Sequence, residues 1–157
     1  MPTHALHHYP ASGELARWII VGVVSGAASV LLFHQSALAV LNALELAARA
    51  PYSFAPTAPF GVPQVWSLAF WGGVWGAVLA ATLARLDGAR LLIAATVFGA
   101  LAPTLVAWFV VAPLKGQPLA AGWVLAAMAV GVIVNAAWGL GAGIGLALFG
   151  RSARGPH

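Results

Sequence analysis

The sequence predicts an all-α polytopic integral membrane protein, a bundle of four transmembrane helices with both termini in the cytoplasm. Hydrophobic residues make up 62% of the 157 residues and charged residues only 6%, whereas a soluble domain carries about 25% charged residues. Seven basic and three acidic side chains cannot keep the surface of a soluble domain in contact with water. Four apolar runs are each long enough to cross a bilayer. A soluble globular fold and a disordered chain are therefore excluded.

The four apolar runs divide the chain into spans, loops and tails. At 1.5 Å per residue each run matches or exceeds the roughly 30 Å hydrocarbon core, and none alternates as a membrane β-barrel strand does. We predict a flexible cytoplasmic tail over 1–17, one transmembrane domain over 18–150 and a cytoplasmic tail over 151–157. The predicted spans are about 18–44, 65–84, 91–111 and 123–149.

Basic residues orient the predicted bundle, because short cytoplasmic loops of bacterial inner-membrane proteins are enriched in Lys and Arg. One side of the membrane receives Arg17, Arg85, Arg90, Arg151 and Arg154. The other side receives only Arg49 and Lys115. If the membrane is a bacterial inner membrane, as we expect, this asymmetry places both termini in the cytoplasm; an organelle membrane stays open as the alternative. The lipid bilayer is the first expected partner. The basic residues lie singly at the ends of the apolar runs and form no single patch, so nucleic-acid binding is not expected.

The predicted outer loop, residues 50–64, combines four prolines with three aromatic residues. The prolines exclude a regular helix, and the aromatic side chains favour a position on the headgroup layer or over the helix ends. Two interpretations stay open, a rigid connector and a lid or docking surface. On the other side of the membrane, the short polar turn over 85–90 predicts that spans two and three pack as an antiparallel hairpin.

Glycine pairs spaced four residues apart predict close helix packing, because a residue without a side chain lets two backbones approach. The pairs are Gly22 and Gly26, Gly72 and Gly76, and Gly139 and Gly143. Packing within one bundle is the leading interpretation, and a homo-oligomer or a foreign helix is the other. The likeness between residues 71–76 and 135–139 also raises the hypothesis of two related hairpins.

Polar residues inside the predicted spans form a candidate buried layer between the midplane and the outer half of the bilayer. Its members are His34, Gln35, Trp71, Thr104 and Asn135. Polar groups at this depth must face protein or a water cavity. The layer either fixes helix register, or serves as a proton or permeation site, or holds a metal or haem.

The remaining polar residues favour no further site. Glu45 and Arg49 are predicted to form a solvated i,i+4 pair at the outer interface. No metal site or cofactor is expected, since the chain has no cysteine and no second embedded histidine. His4, His7 and His8 are interpreted as part of a solvated tail. No embedded carboxylate pair, phosphate loop or serine–histidine arrangement is present, so an enzyme is not expected.

Several segments carry a resemblance to a known family. They are residues 33–35, 58–64, 70–76, 111–116 and 135–141. Together they resemble a family of small uncharacterised proteobacterial inner-membrane proteins, over most of the chain after residue 20. The resemblance implies a four-helix inner-membrane protein and assigns no activity or catalytic residue.

The function expected from these features is non-enzymatic. The leading hypothesis is a structural or accessory subunit that packs against itself or against a larger membrane complex. The rival hypothesis is a small homo-oligomeric transporter or channel whose site is the polar layer.

Overall fold

The computed structural model describes residues 12–153, and the side chains of residues 13–150. The tail histidines His4, His7 and His8 lie outside the described residues. Within the described part the chain is mostly helical, and four helices are long and apolar enough to cross a membrane. The predicted all-helical architecture with four potential spans is therefore confirmed. The helices run over residues 12–43 (α1), 64–83 (α2), 88–114 (α3) and 125–153 (α4).

Two predicted tail boundaries fall inside helices. Helix α1 begins at Ser12 rather than after residue 17, and α4 continues through Ala153 rather than ending before residue 151. Both extensions are rich in residues that tolerate helix, and no proline lies within them to stop it.

Each of the helices α1 and α3 contains one π-helical turn, in which an amide bonds the carbonyl five residues back. The turns are Val30–His34 in α1 and Ala107–Val111 in α3. The turn in α3 lies just before Pro113, which has no amide hydrogen to continue the helical ladder. Such turns interrupt the regular pairing of a helix and leave a carbonyl free for another donor.

The chain between α1 and α2 folds back along α1. Helix α1 ends at Ala43, and Glu45 adopts a left-handed backbone with φ of 59°. The amides of Leu46 and Ala47 both bond the Leu41 carbonyl, at 2.9 and 3.2 Å. After this turn a hairpin of two-residue strands, β1 (Pro56–Thr57) and β2 (Val62–Pro63), leads into α2.

Helices α1 and α4 pack against each other, α2 packs closely on α1, and α3 packs closely on α4. Helices α2 and α3 follow one another in sequence but contact each other at few positions. One of these contacts is the edge-to-face pair of Trp75 and Phe98, with ring centroids 5.9 Å apart. The predicted hairpin of the second and third spans therefore has a short turn and some contacts, but its two helices pack mainly on other neighbours. Glycine residues pack α2 on α1 and α3 on α4 instead.

The two ends of the bundle differ in composition. We call the end formed by residues 35–64 and 107–125 the long-loop end, and the opposite end, with the turn over 84–87, the short-turn end. Six of the described aromatic residues lie at the long-loop end, and Trp66 lies in the first turn of α2 beside it. The six are Tyr52, Phe54, Phe60, Trp108, Phe109 and Trp123. Arg17, Arg85 and Arg90 lie at the short-turn end and are exposed.

Candidate functional site

The structure separates the predicted polar layer into distinct places. Gln35 contacts the long loop, Thr104 contacts Asn135, and His34 is buried without a hydrogen-bond partner on Nδ1. No hydrogen bond joins one of these places to another among the described side chains. The residues share a depth in the bundle without forming one connected network.

Gln35 is held by a residue that sequence analysis did not single out, Tyr52. The backbone amide of Tyr52 donates to Gln35 Oε1 at 2.7 Å, and Gln35 is only 1% exposed. The Tyr52 hydroxyl donates to the Leu31 carbonyl at 2.8 Å. Two hydrogen bonds from one loop residue therefore fasten the long loop to α1, and we call this pair of bonds the Tyr52 latch.

The π turn of α1 creates the acceptor that the latch uses. In a regular α-helix the Gln35 amide would bond the Leu31 carbonyl. In the structure it bonds the Val30 carbonyl instead, which leaves Leu31 free. A free carbonyl in an apolar environment such as a bilayer is costly unless a donor reaches it. The Tyr52 hydroxyl supplies that donor, and no sequence pattern indicates it because Tyr52 lies 21 residues from Leu31.

His34 is the unusual member of the polar group. Its side chain is 8% exposed, and Nδ1 has no partner among the described residues. It lies on α1 between Val30, which contacts α2 at Gly72, and Leu38, which packs near Val134 of α4. His34 is thus buried on α1 between a residue that contacts α2 and a residue that packs near α4, and its Nδ1 has no hydrogen-bond partner among the described residues.

Thr104 and Asn135 form a single bond between α3 and α4. Asn135 Nδ2 donates to Thr104 Oγ1 at 2.8 Å, and Thr104 is fully buried. The pair joins two helices that the glycines have already brought together.

Trp71 does not belong to the buried layer. Its side chain is 56% exposed and faces outward from the bundle, where it stacks edge to face on Phe70. The prediction that Trp71 is buried is wrong because the face of α2 that carries Gly72 and Gly76 is the face that packs on α1. Trp71 lies beside that contact face rather than on it.

Glu45 and Arg49 do not form the predicted helical pair. Helix α1 ends at Ala43, so neither residue lies on a helix. Both side chains are exposed. The Arg49 backbone carbonyl instead accepts a bond of 3.3 Å from Asn42 Nδ2, which also bonds the Ala47 carbonyl at 2.8 Å.

The glycines lie in two seams inside the single chain. A Cβ on Gly22, Gly26, Gly72 or Gly76 would overlap backbone atoms of the facing helix, so α1 and α2 meet backbone to backbone. Between α3 and α4 a Cβ on Gly99 would lie 2.7 Å from the Cα of Gly139. Gly143 faces Ala95 in the same seam.

The spacing argument missed Gly99 because no second glycine lies four residues from it on α3. The hypothesis of two related hairpins stays a prediction.

Buried tryptophans provide further polar contacts between helices. Trp138 Nε1 donates to the Gly26 carbonyl at 2.9 Å, and Ser29 Oγ donates to the Trp138 carbonyl at 2.7 Å. Trp18 Nε1 donates to the Ala80 carbonyl at 2.7 Å. These bonds connect α4 and α2 to α1, and sequence analysis did not single out either tryptophan.

No group of three or more side chains that could hold a metal is found among the described residues. Comparison of the chain with protein families, curated proteins and solved structures gives no match.

Proposed function

We propose that the protein is a non-enzymatic multi-pass protein of a bacterial inner membrane that acts as a structural or accessory subunit. The observation that carries this proposal is the use made of the polar groups between the helices. Thr104, Asn135, Gln35, Ser29 and Trp138 are each engaged in a hydrogen bond that joins two parts of the bundle. Groups engaged in packing are not available to line a pathway or to bind a substrate.

The outer surface supports the same proposal. Large apolar side chains are exposed along all four helices, from Ile20 on α1 to Phe149 on α4. Because this surface is mostly apolar, the contacts that it favours are with lipid and with other membrane-embedded helices. The glycine seams are used within the chain, so a partner would meet the larger side chains of the outward faces.

The orientation with cytoplasmic termini belongs to this proposal. The exposed arginines at the short-turn end favour the cytoplasmic side. The aromatic residues at the long-loop end favour the opposite membrane interface, where Trp and Tyr concentrate.

The test is the composition of the natively expressed protein after gentle extraction. The tagged chain is purified in mild detergent or nanodiscs, and the mass and stoichiometry of the particle are measured. A foreign subunit in fixed stoichiometry, recovered again when that subunit carries the tag, would support the accessory role. A monomer alone would contradict the proposal, and a homo-oligomer without a foreign subunit would limit the role to self-association. An unrelated four-span protein with the same tag serves as the control.

His34 supports a second candidate, a small transporter or channel. It is the one described side chain with a fully buried polar atom that lacks a hydrogen-bond partner. In reconstituted vesicles, His34→Ala would abolish any proton or solute flux through the protein that depends on the buried His34 Nδ1. Ser36→Ala, at an exposed position of α1, would leave that flux unchanged. Equal flux in the two variants would remove His34 from any transport role.

A further inference from the structure

A cleft at the long-loop end opens between the loop before α2 and the chain after α3. Its volume is about 630 Å³, within the range of small-molecule sites. Residues from both segments line it: Ala55, Pro56, Thr57, Ala58, Pro59, Gln64, Leu114, Lys115 and Gln117. The wall is therefore apolar on part of its surface and carries amide, hydroxyl and ammonium groups on the rest.

The charge of the cleft is positive. Lys115 is the one charged residue among the described residues that line it. The amides of Gln64 and Gln117 add neutral hydrogen-bond donors. Together these groups match an anionic group that accepts several hydrogen bonds, such as a phosphodiester.

Between this cleft and the Trp75–Phe98 pair, helices α2 and α3 have few contacts and expose apolar side chains. We call these facing exposed surfaces the groove. On α2, Gln64, Leu68 and Trp71 share the helix face of Trp75 by their spacing of three and four residues. On α3, Leu101 and Leu105 share the face of Phe98 in the same way.

Along α2 the groove is about as long as one leaflet, and along α3 the sixteen residues from Phe98 to Leu114 correspond to about 24 Å. Gln64 and Trp75 are eleven residues apart, which corresponds to about 16 Å along α2. Half of the hydrocarbon core is about 15 Å. Trp71, Leu101 and Leu105 are all about half exposed, so the groove is open along this length.

We infer that the cleft and groove bind an anionic phospholipid, with the headgroup at Lys115 and an acyl chain between α2 and α3. The lysine and the two glutamines contact the phosphate, and Trp71 and Leu105 contact the chain. The inference goes beyond the accessory role, because it requires no protein partner.

The experiment measures lipid retention by the purified full-length protein. Native mass spectrometry records the bound lipid after incubation with equal amounts of phosphatidylglycerol and phosphatidylcholine. We expect preferential retention of phosphatidylglycerol. Lys115→Gln should lower that retention about five-fold, as expected for the loss of one lysine at an anionic membrane surface. Arg49→Gln removes an exposed cation at the same end outside the cleft and should leave retention unchanged.

A second pair of variants tests the acyl-chain groove. Leu105→Trp adds bulk within the groove and should lower retention, whereas Ile93→Trp on an exposed, different face of α3 should not. Glycerol phosphate, which carries the phosphate of the headgroup but no acyl chain, should fail to displace the lipid. Equal retention of the two phospholipids, no effect of Lys115→Gln, or full displacement by glycerol phosphate would each overturn the inference. Recovery of a partner helix in the groove in place of lipid would also overturn it.

Discussion

Tyr52 shows how a single loop side chain completes the hydrogen bonding of a helix. The π turn removes the usual donor from the Leu31 carbonyl, and the Tyr52 hydroxyl replaces it at 2.8 Å. Tyr52 adopts a left-handed backbone conformation, with φ of 50°. This conformation costs a non-glycine residue about 1 kcal/mol or more. The latch therefore holds a strained loop against the helix.

Tyr52→Phe removes the hydroxyl while keeping the ring. We expect a loss of about 1 kcal/mol in the free energy of unfolding, because the Leu31 carbonyl loses its donor. Unfolding in mixed detergent and denaturant, followed by circular dichroism, measures the change. Phe60→Leu alters an almost fully exposed ring in the same loop and serves as the control. Equal stability of the wild type and Tyr52→Phe would show that water replaces the hydroxyl without cost.

Thr104→Val tests the bond between α3 and α4 at the same scale. The substitution keeps the shape of the side chain and leaves the Asn135 amide without its acceptor. We expect a loss of roughly 0.5–1.5 kcal/mol in unfolding free energy, as for other hydrogen bonds between membrane helices.

The matched control is Thr96→Val, also on α3. Its hydroxyl bonds only the Leu92 carbonyl of its own helix, at 2.8 Å. Removing that hydroxyl leaves no amide unpaired, so its effect should be smaller. If Thr96→Val lowered the stability more than Thr104→Val, a stabilising role for the Asn135–Thr104 bond would be excluded.

At the scale of helices, the seams decide which neighbour each helix contacts. Gly22 and Gly26 meet Gly76 and Gly72 across α1 and α2, and Gly99 meets Gly139 across α3 and α4. Close backbone contact maximises van der Waals packing where the surrounding medium is also apolar. The few contacts between α2 and α3 follow, since each of them presents its glycine face elsewhere.

Gly76→Ala should separate α1 from α2, because the new Cβ would overlap the Gly22 carbonyl and lie 3.0 Å from the Cα of Gly26. We expect a loss of about 1–3 kcal/mol in unfolding free energy, typical of overpacking. The mass of the particle in detergent should stay the same, because the seam lies within one chain.

Gly131→Ala on α4 is the control for this substitution. A Cβ there lies 3.5 Å from Trp108 Nε1, an ordinary contact, so stability should change little. A change of oligomeric mass in Gly76→Ala would instead place the glycine at an interface between chains.

At the scale of the whole molecule, the two ends carry different chemistry. Arginines concentrate at the short-turn end and aromatic residues at the long-loop end. Topology reporters fused at residue 157 and within residues 50–64 test the orientation that this asymmetry favours. We expect a cytoplasmic signal from the first fusion and a periplasmic signal from the second. The reverse pattern would overturn the orientation.

The helical architecture with four potential spans could be predicted from the sequence, because apolar runs of this length depend on local composition alone. The spacing of Gly72, Gly76 and Gly139 likewise predicted close packing. The rest of the site could not be predicted in this way. Whether Trp71 faces inward depends on which side of α2 its glycines turn toward α1. Whether Leu31 needs Tyr52 depends on a π turn and on a loop that returns along α1. Contacts between distant parts of a chain leave no local pattern, so they appear only when the helices are assembled.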